Sequence, residues 1–215
     1  METTLNKIRS NDPCKDGWTK LLKHLGKTEA DDEPLTILTI LDSNGIEDAL
    51  WCFCAVDGFE REKRLLAVAF ARGVQHLDKT GVAKATLDVA ERFANGDATD
   101  EELDASRHAA RDAWAAGDAG AAGAAWAAAR DARDARAARA AWDAAWAARD
   151  AAARAAARAA GGAGGAGDAA LAARAAALAA RAAAARAALA AQEKILRRYL
   201  TTGVISHDIE QWEKE

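Results

Sequence analysis

The stretch AARAAWDAAWAARDAAARAAARAA, residues 137–160, decides the fold of this chain and lies inside a longer alanine-rich run, residues 105–191. Of the 87 residues in that run, 51 are alanine and 12 are arginine. Alanine has the highest helix propensity of all residues, and arginine loses little rotamer freedom in a helix. The run is therefore predicted to be almost entirely α-helical.

Alanines within residues 137–160 recur with alternating spacings of three and four. One line holds Ala138, Ala145, Ala152 and Ala159, and the adjacent line holds Ala141, Ala148 and Ala155. A heptad seam made only of methyl groups lets a partner helix approach closely. Arg136, Asp143 and Asp150 share the opposite line, which predicts a solvated face there.

A glycine-rich break at residues 161–167 separates this helix from the next one. Five of the seven residues are glycine, and each costs about 1 kcal/mol relative to alanine in a helix. A second seam with the same alternating spacing follows, formed by Leu171, Ala175, Leu178, Ala182, Ala185, Leu189, Gln192, Leu196 and Tyr199. The two helices are predicted to pack as a long antiparallel hairpin.

The first half of the chain predicts shorter amphipathic helices. They are expected from an Asp12 N-cap to about Leu25, from Pro34 to about Leu41, from Ile46 to Cys54, from Phe59 to about Leu77 and across residues 81–95. Thr99 and Glu102 form a capping box that opens the alanine-rich part, and Gly117, Gly120 and Gly123 fit either a loop or a close-packed helix face. No segment alternates with period two, so no strand is predicted.

We therefore predict an all-α helical bundle or array, with short amphipathic N-terminal helices packed on the alanine-rich antiparallel hairpin. Three parts are expected within one structural body: an acidic half at residues 1–104, the helical module at residues 105–200 and a tail at residues 201–215. The net charges of residues 1–104, 105–191 and 192–215 are −8, +5 and −1, which sum to the −4 of the whole chain. This polarity would hold the halves together or attract an acidic partner.

Several functional classes are disfavoured by the composition. Charges interrupt the alanine run every few residues, so it is not predicted to span a membrane. Three cysteines and no apolar N-terminal leader predict a reducing, cytoplasmic location. Cys52 and Cys54 are expected to be free buried thiols, because residues two apart on a helix do not face each other.

No catalytic signature, cofactor motif or metal-ligand spacing is apparent, so the chain is predicted not to be an enzyme. Asp88 and Glu91 have the spacing of a magnesium-binding pair of a helical nucleotide hydrolase, but a second such pair is missing. That enzyme remains an alternative hypothesis.

A basic and aromatic constellation is the most distinctive surface feature. Arg133, Arg136, Arg139 and Trp146 are predicted to contact a partner, because interfaces favour tryptophan and arginine anchors. Trp142 borders the alanine seam and is expected to be structural, although both tryptophans would instead be core if they folded back onto the N-terminal helices. Nucleic-acid binding is a weaker alternative, since aspartates interrupt the arginine stripe.

Two resemblances bear on function. The run AARAAWDAAWAARDAAARAAARAA resembles the alanine-rich helical repeat of a family of immunity proteins. Residues 24–77, HLGKTEADDEPLTILTILDSNGIEDALWCFCAVDGFEREKRLLAVAFARGVQHL, lie within the region of about 12–104 that resembles uncharacterised proteins of phages and other mobile elements.

These resemblances imply a small non-enzymatic protein of a phage or mobile element that binds and neutralises another protein, such as a toxin or host defence factor. An oligomerising protein whose alanine seams pair between chains is a further alternative.

Overall fold

The computed structural model describes the backbone of residues 1–116, 121–133, 137–161 and 168–206, and the side chains in these ranges except those at 131–142, 160–171 and 173. These ranges contain helices α1 (Leu5–Ser10), α2 (Lys15–Leu25), α3 (Ile37–Asn44), α4 (Ile46–Trp51), α5 (Glu60–Arg72), α6 (Val82–Asn95), α7 (Asp100–Ala115), α8 (Ala121–Arg133), α9 (Ala137–Gly161) and α10 (Asp168–Thr202). Short 3₁₀ turns follow α4 and α5 at Cys52–Ala55 and Gln75–Leu77. The predicted all-α class is confirmed.

One small β-ladder departs from the prediction of no strand. Strands β1 (Glu2–Thr3) and β2 (Leu35–Thr36) pair antiparallel, with Thr3 opposite Leu35. Because β2 takes up residues 35 and 36, α3 begins at Ile37 rather than at Pro34. Thr36 then caps α3, its hydroxyl oxygen accepting a hydrogen bond from the Thr39 amide at 3.1 Å.

The start of α2 was also wrong in the sequence-based prediction. Asp12 has a φ of 59°, whereas the residue that caps a helix N-terminus normally has an extended backbone. Cys14 has that extended backbone, and its sulfur accepts a hydrogen bond from the Gly17 amide at 3.4 Å. The predicted end of α2 is confirmed, since Gly26 closes it in the left-handed conformation.

The capping box at the start of α7 is confirmed. The Glu102 amide donates to Thr99 Oγ1 at 3.2 Å, and the Thr99 amide donates to Glu102 Oε2 at 2.9 Å. The hydrogen bond from the Thr99 amide, followed by that from Arg92, holds the pKa of Glu102 below its ordinary value. The helix that opens the alanine-rich part thus begins where the sequence predicts.

Two apolar cores share helices α5 and α9. The first core joins α1 to α4 with the C-terminal part of α10, and its large side chains include Leu5, Ile8, Leu21, Ile37, Ile40, Leu50, Phe53, Phe70, Ile195 and Leu196. The second core joins α5 to α9, and its members include Val68, Val74, Leu87, Leu103, Ala125, Ala128, Ala144 and Ala148. The amphipathic N-terminal helices therefore pack on the alanine-rich helices, as predicted.

Helices α9 and α10 form the predicted antiparallel hairpin. Gln192 Nε2 donates to the Ala145 carbonyl at 2.8 Å, while Asp150, further along α9, lies 3.7 Å from Arg181, which is earlier on α10. Ala145 and Ala148 of the first predicted seam are buried, whereas Ala159 near the end of α9 is exposed. The seam is therefore packed only along part of its length.

The predicted seam of α10 is correct in its C-terminal half and wrong in its N-terminal half. Gln192, Leu196 and Tyr199 are buried, but Leu178 is 67% exposed. From residue 174 to residue 184 the partly buried residues are Ala177, Ala180 and Ala184, each beside the predicted line, whereas Ala185 and Leu189 on that line are partly buried further along. A heptad repeat drifts by about 20° per heptad on a straight helix, so over several heptads the buried stripe moves to a neighbouring line.

The solvated line predicted on α9 is also wrong in part. The Asp143 side chain is only 15% exposed and its carboxylate lies 2.5 Å from Arg130 of α8. Helix α8 packs on this side of α9, and the alanine pattern predicts helix there without indicating that it packs on α9. Gly123 belongs to α8, where an added Cβ would lie 3.3 Å from the Trp114 ring, which favours the close-packed interpretation at that position.

Candidate functional site

A concave pocket of about 210 Å³ lies between the first four helices and α9. Helix α2 begins at Cys14, so Trp18 and Leu21 are placed one turn apart on the side that faces α3 and α4. The lining residues are Ile8, Pro13, Cys14, Gly17, Trp18, Leu21, Ile40, Asn44, Glu47, Asp48, Trp51, Cys52 and Trp146. Three of the seven tryptophans of the chain thus meet at one cavity, although they lie in three different helices.

Polar groups of the pocket gather where α2 approaches the junction of α3 and α4. Asn44 Nδ2 donates to the Gly17 carbonyl at 2.8 Å and to Asp48 Oδ2 at 2.7 Å. A Cβ at position 17 would lie only 2.7 Å from Asp48 Oδ2 and 3.1 Å from the Cys14 sulfur. Glycine at this position is therefore what allows the Asp48 carboxylate to lie against the first turn of α2.

Three side chains in contact, Trp146, Arg149 and Glu47, form the pocket rim and connect α9 to α4. The Arg149 guanidinium lies 4.5 Å from the centre of the Trp146 ring, and Arg149 Nη1 lies 2.5 Å from Glu47 Oε1. Trp146 is nevertheless 44% exposed. A cation over an aromatic face and a charge-assisted hydrogen bond both orient Arg149, so the rim is held in one arrangement.

Two thiols border the pocket, and they differ in accessibility. Cys52 is buried, and this burial, followed by the nearby Cys54, Asp48 and Cys14, raises the pKa of its thiol far above the ordinary value. Cys14 is exposed at the start of α2. The prediction of buried free thiols is confirmed for Cys52 and wrong for Cys54, which is exposed because the 3₁₀ turn after α4 places it outward.

Of the four predicted contact residues, the structure places one in this site. Trp146 lies at the pocket rim, where it lines the cavity together with residues of α1 to α4, and it is widely exposed to solvent. The side chains of Arg133, Arg136 and Arg139 lie outside the described residues, as does that of Trp142. Sequence reasoning missed Arg149, Trp18 and Trp51, and only the spacing of three between Trp146 and Arg149 could have indicated their contact.

The acidic pair considered for magnesium is held by a basic side chain. Arg72 Nη2 lies 2.9 Å from Asp88 Oδ1 and 2.6 Å from Glu91 Oε2. Burial alone would raise the pKa of Asp88, but the hydrogen bonds from Lys84 and Arg72 outweigh it and hold this pKa low. Within the described ranges, no cluster of three or more cysteine, histidine or carboxylate side chains is placed to bind a metal ion.

A second aromatic surface lies on α7 and α8. The Trp114 and Trp126 rings stack with their centres 5.8 Å apart and an interplanar angle of 8°, and Trp114 is 42% exposed. The Arg130 guanidinium lies 4.9 Å from the centre of the Trp126 ring. The same guanidinium also reaches α9, where its Nη2 lies 2.5 Å from Asp143 Oδ2.

Comparison of the chain with family models, with curated proteins and with solved structures gave no match. The resemblance to immunity and mobile-element proteins thus stays a prediction. None of the helices that the structure describes combines the length and the apolarity that crossing a bilayer requires.

Proposed function

We propose that this chain is a non-enzymatic cytoplasmic interaction protein of a phage or mobile element, which binds and neutralises another protein at the tryptophan-lined pocket. The partner is a toxin or a host defence factor. The assignment to a mobile element rests on the sequence resemblances, and the location of the binding surface rests on the geometry of the pocket.

The observation that carries the proposal is the pocket rim. Trp146 is 44% exposed although tryptophan is usually well buried, and Arg149 is fixed against its ring at 4.5 Å. Tryptophan and arginine dominate the binding energy of protein interfaces, and they do so next to pockets that exclude water. A partner that covered Trp146 would bury a large apolar surface without having to order a flexible side chain.

The polar groups of the pocket support binding rather than catalysis. Asp48 accepts a hydrogen bond from Asn44, and Glu47 is paired with Arg149. The described lining includes no histidine and no serine or threonine hydroxyl. Binding sites commonly combine apolar walls with a few fixed polar groups, as this pocket does.

The proposal is tested by affinity capture from the host with three versions of the chain: the wild type, Trp146→Ala and Trp114→Ala. Trp114→Ala is a matched control, because Trp114 is 42% exposed but lies on α7, away from the pocket. We expect the wild type and Trp114→Ala to retain one specific protein that Trp146→Ala loses. If Trp146→Ala retains that protein and Trp114→Ala loses it, the binding surface is on α7 and α8 instead.

Self-assembly is the second candidate, and one observation favours it. Leu178 of α10 is 67% exposed, and the neighbouring Ala175 and Ala182 on the same line are also exposed. Such a line matches the close-packing seam that α9 and α10 use elsewhere. If chains pair through it, light scattering will show a concentration-dependent dimer that Leu178→Lys dissociates, whereas a monomer at all concentrations would exclude this function.

A further inference from the structure

The pocket also restricts the chemistry of the group that it takes, an inference that rests on the proposed function. Apart from the two thiols, the ionisable side chains among its described lining are the carboxylates of Glu47 and Asp48. No lysine, arginine or histidine belongs to that lining. Because Arg149 at the rim pairs with Glu47, the charge that remains in the pocket is that of Asp48, and an entering cation would be favoured over an anion.

Asp48 is the carboxylate that has no basic partner within the described residues. It accepts a hydrogen bond from Asn44 Nδ2 at 2.7 Å and lies against the first turn of α2, while the nearby Lys20 ammonium donates to the Asn44 carbonyl at 3.3 Å. Glu47 differs, because Arg149 lies 2.5 Å from it. A cation entering the pocket would therefore be attracted to Asp48.

The walls beside Asp48 suit a cation with an apolar stem. Trp18 and Trp51 line the pocket, and tryptophan rings attract alkylammonium groups through their π faces. Trp146 already holds the Arg149 guanidinium over its ring at 4.5 Å, so one aromatic side chain of this rim stabilises a cation in the folded protein. The walls also offer apolar surface to a chain of methylene groups.

The volume of the pocket and the hydrogen bonds of Asp48 restrict further which cation the pocket can bind. A volume of about 210 Å³ is below the range of roughly 300–1,000 Å³ typical of drug-sized ligand pockets and suits one side chain. Arginine prefers two accessible oxygens of one carboxylate, but Asp48 Oδ2 accepts from Asn44 and is packed against Gly17, where an added Cβ would lie 2.7 Å from it. Lysine needs only a single acceptor and carries a longer apolar stem.

We propose that the pocket takes an alkylammonium group, namely the side chain of a lysine of the partner protein. The ammonium group lies at Asp48, and the methylene stem packs against Trp18 and Trp51. Trp146 and Arg149 then contact the partner surface around that lysine.

The test uses the purified full-length protein and three small probes: butylammonium, its neutral analogue 1-butanol and butylguanidinium. Binding is followed by tryptophan fluorescence and by the rate at which iodoacetamide alkylates Cys14, which is exposed and lines the pocket. Cys54 is an internal control, since it is exposed but is not part of the described lining. We expect butylammonium to slow the alkylation of Cys14 and leave that of Cys54 unchanged.

The affinities of the wild-type protein for the three probes show whether the pocket prefers a cation to a neutral molecule. We expect butylammonium to bind at least about tenfold more tightly than 1-butanol, equivalent to about 1.4 kcal/mol. Equal binding of butylammonium and 1-butanol would overturn the assignment of a cation. Tighter binding of butylguanidinium than of butylammonium would overturn the assignment of lysine. If none of the three probes binds, both assignments are wrong.

Two charge-neutralising variants locate the acceptor. Asp48→Asn should remove the preference for butylammonium, whereas the control Asp42→Asn, whose carboxylate pairs with Arg197 outside the pocket, should retain it. Retention of the preference in Asp48→Asn would show that Asp48 is not the acceptor.

A failure of the lysine assignment can be distinguished from a failure of the proposed function by comparing the probe experiment with the capture experiment. If no probe protects Cys14 but Trp146→Ala still loses its partner, the proposed function stands and the lysine assignment fails. If butylammonium binds but Trp146→Ala retains its partner, the proposed function fails and the assignment of a partner lysine fails with it.

Discussion

Gln192 is a buried amide in the contact between α9 and α10, and it is only 3% exposed. Its Nε2 donates to the Ala145 carbonyl at 2.8 Å, but its Oε1 has no hydrogen-bond partner within the described part of the chain. A buried acceptor without a partner costs about 1–3 kcal/mol, whereas a neutral hydrogen bond contributes about 1 kcal/mol. The amide thus fixes where the two helices meet at some cost in stability.

Replacement of Gln192 by methionine should stabilise the protein. Methionine has a similar length and leaves no polar atom unpaired, so we expect Gln192→Met to raise the free energy of unfolding by about 1 kcal/mol. Urea denaturation measures the change, and Gln192→Ala, which leaves a cavity, should lower the free energy of unfolding. A loss of stability in Gln192→Met would mean that the hydrogen bond to Ala145 is worth more than the buried oxygen costs.

The sequence singled out Trp146 as a partner contact, with burial against the N-terminal helices as the alternative, but it did not predict the site around this residue. Trp18 and Trp51 lie in separate helices, so only the packing of α2 on α3, which leads directly into α4, brings them to one pocket. The geometry of Gly17 against Asp48 is likewise invisible in the sequence, where a glycine in the first turn of a helix indicates only weak helix propensity.

Helix α9 contacts neighbours on two sides, and its alanines make this packing close. Ala145 belongs to the first core and Ala148 to the second, so neighbouring lines of one helix face different cores. The neighbouring helices pack closely around these methyl groups, so a larger side chain would not fit there. The close approach of α5, α8 and α10 to α9 therefore depends on small residues at these positions.

Enlargement of a buried alanine on α9 should be destabilising. We expect Ala148→Leu to lower the free energy of unfolding by about 1–3 kcal/mol, because a well-packed core cannot accept three additional carbon atoms without strain. Ala159→Leu is the matched control, since Ala159 lies on the predicted seam but is exposed. Equal stability of the two variants in thermal denaturation would mean that position 148 is not packed as described.

At the element scale, the sequence predicted the presence and order of most helices but not their exact starts or contact lines. Propensity and capping residues determine that α7, α9 and α10 are helical, and these are local properties. The line of α10 that faces α9 depends on accumulated helix rotation, so the seam through Leu178 was misplaced. The packing of α8 on the other side of α9 is a tertiary feature that a repeating alanine pattern does not encode.

The whole molecule joins an acidic half to a basic module, and ion pairs connect the two. Glu47 of α4 pairs with Arg149 of α9 at 2.5 Å, and Asp42 of α3 pairs with Arg197 of α10 at 2.6 Å. The first of these pairs lies at the rim of the pocket. The polarity predicted from charge counts thus contributes to the proposed binding surface as well as to the contact between the halves.

The proposed binding surface is tested most directly by the dissociation constant of the captured partner for Trp146→Ala, measured beside Trp114→Ala and the wild type. We expect Trp146→Ala to weaken binding by about 30-fold, equivalent to about 2 kcal/mol. Because Trp146 is 44% exposed, the melting temperature of this variant should stay within about 4 °C of the wild type. An unchanged dissociation constant, or a melting temperature that falls by many degrees while the folded fraction still binds, would show that Trp146 is not a partner contact.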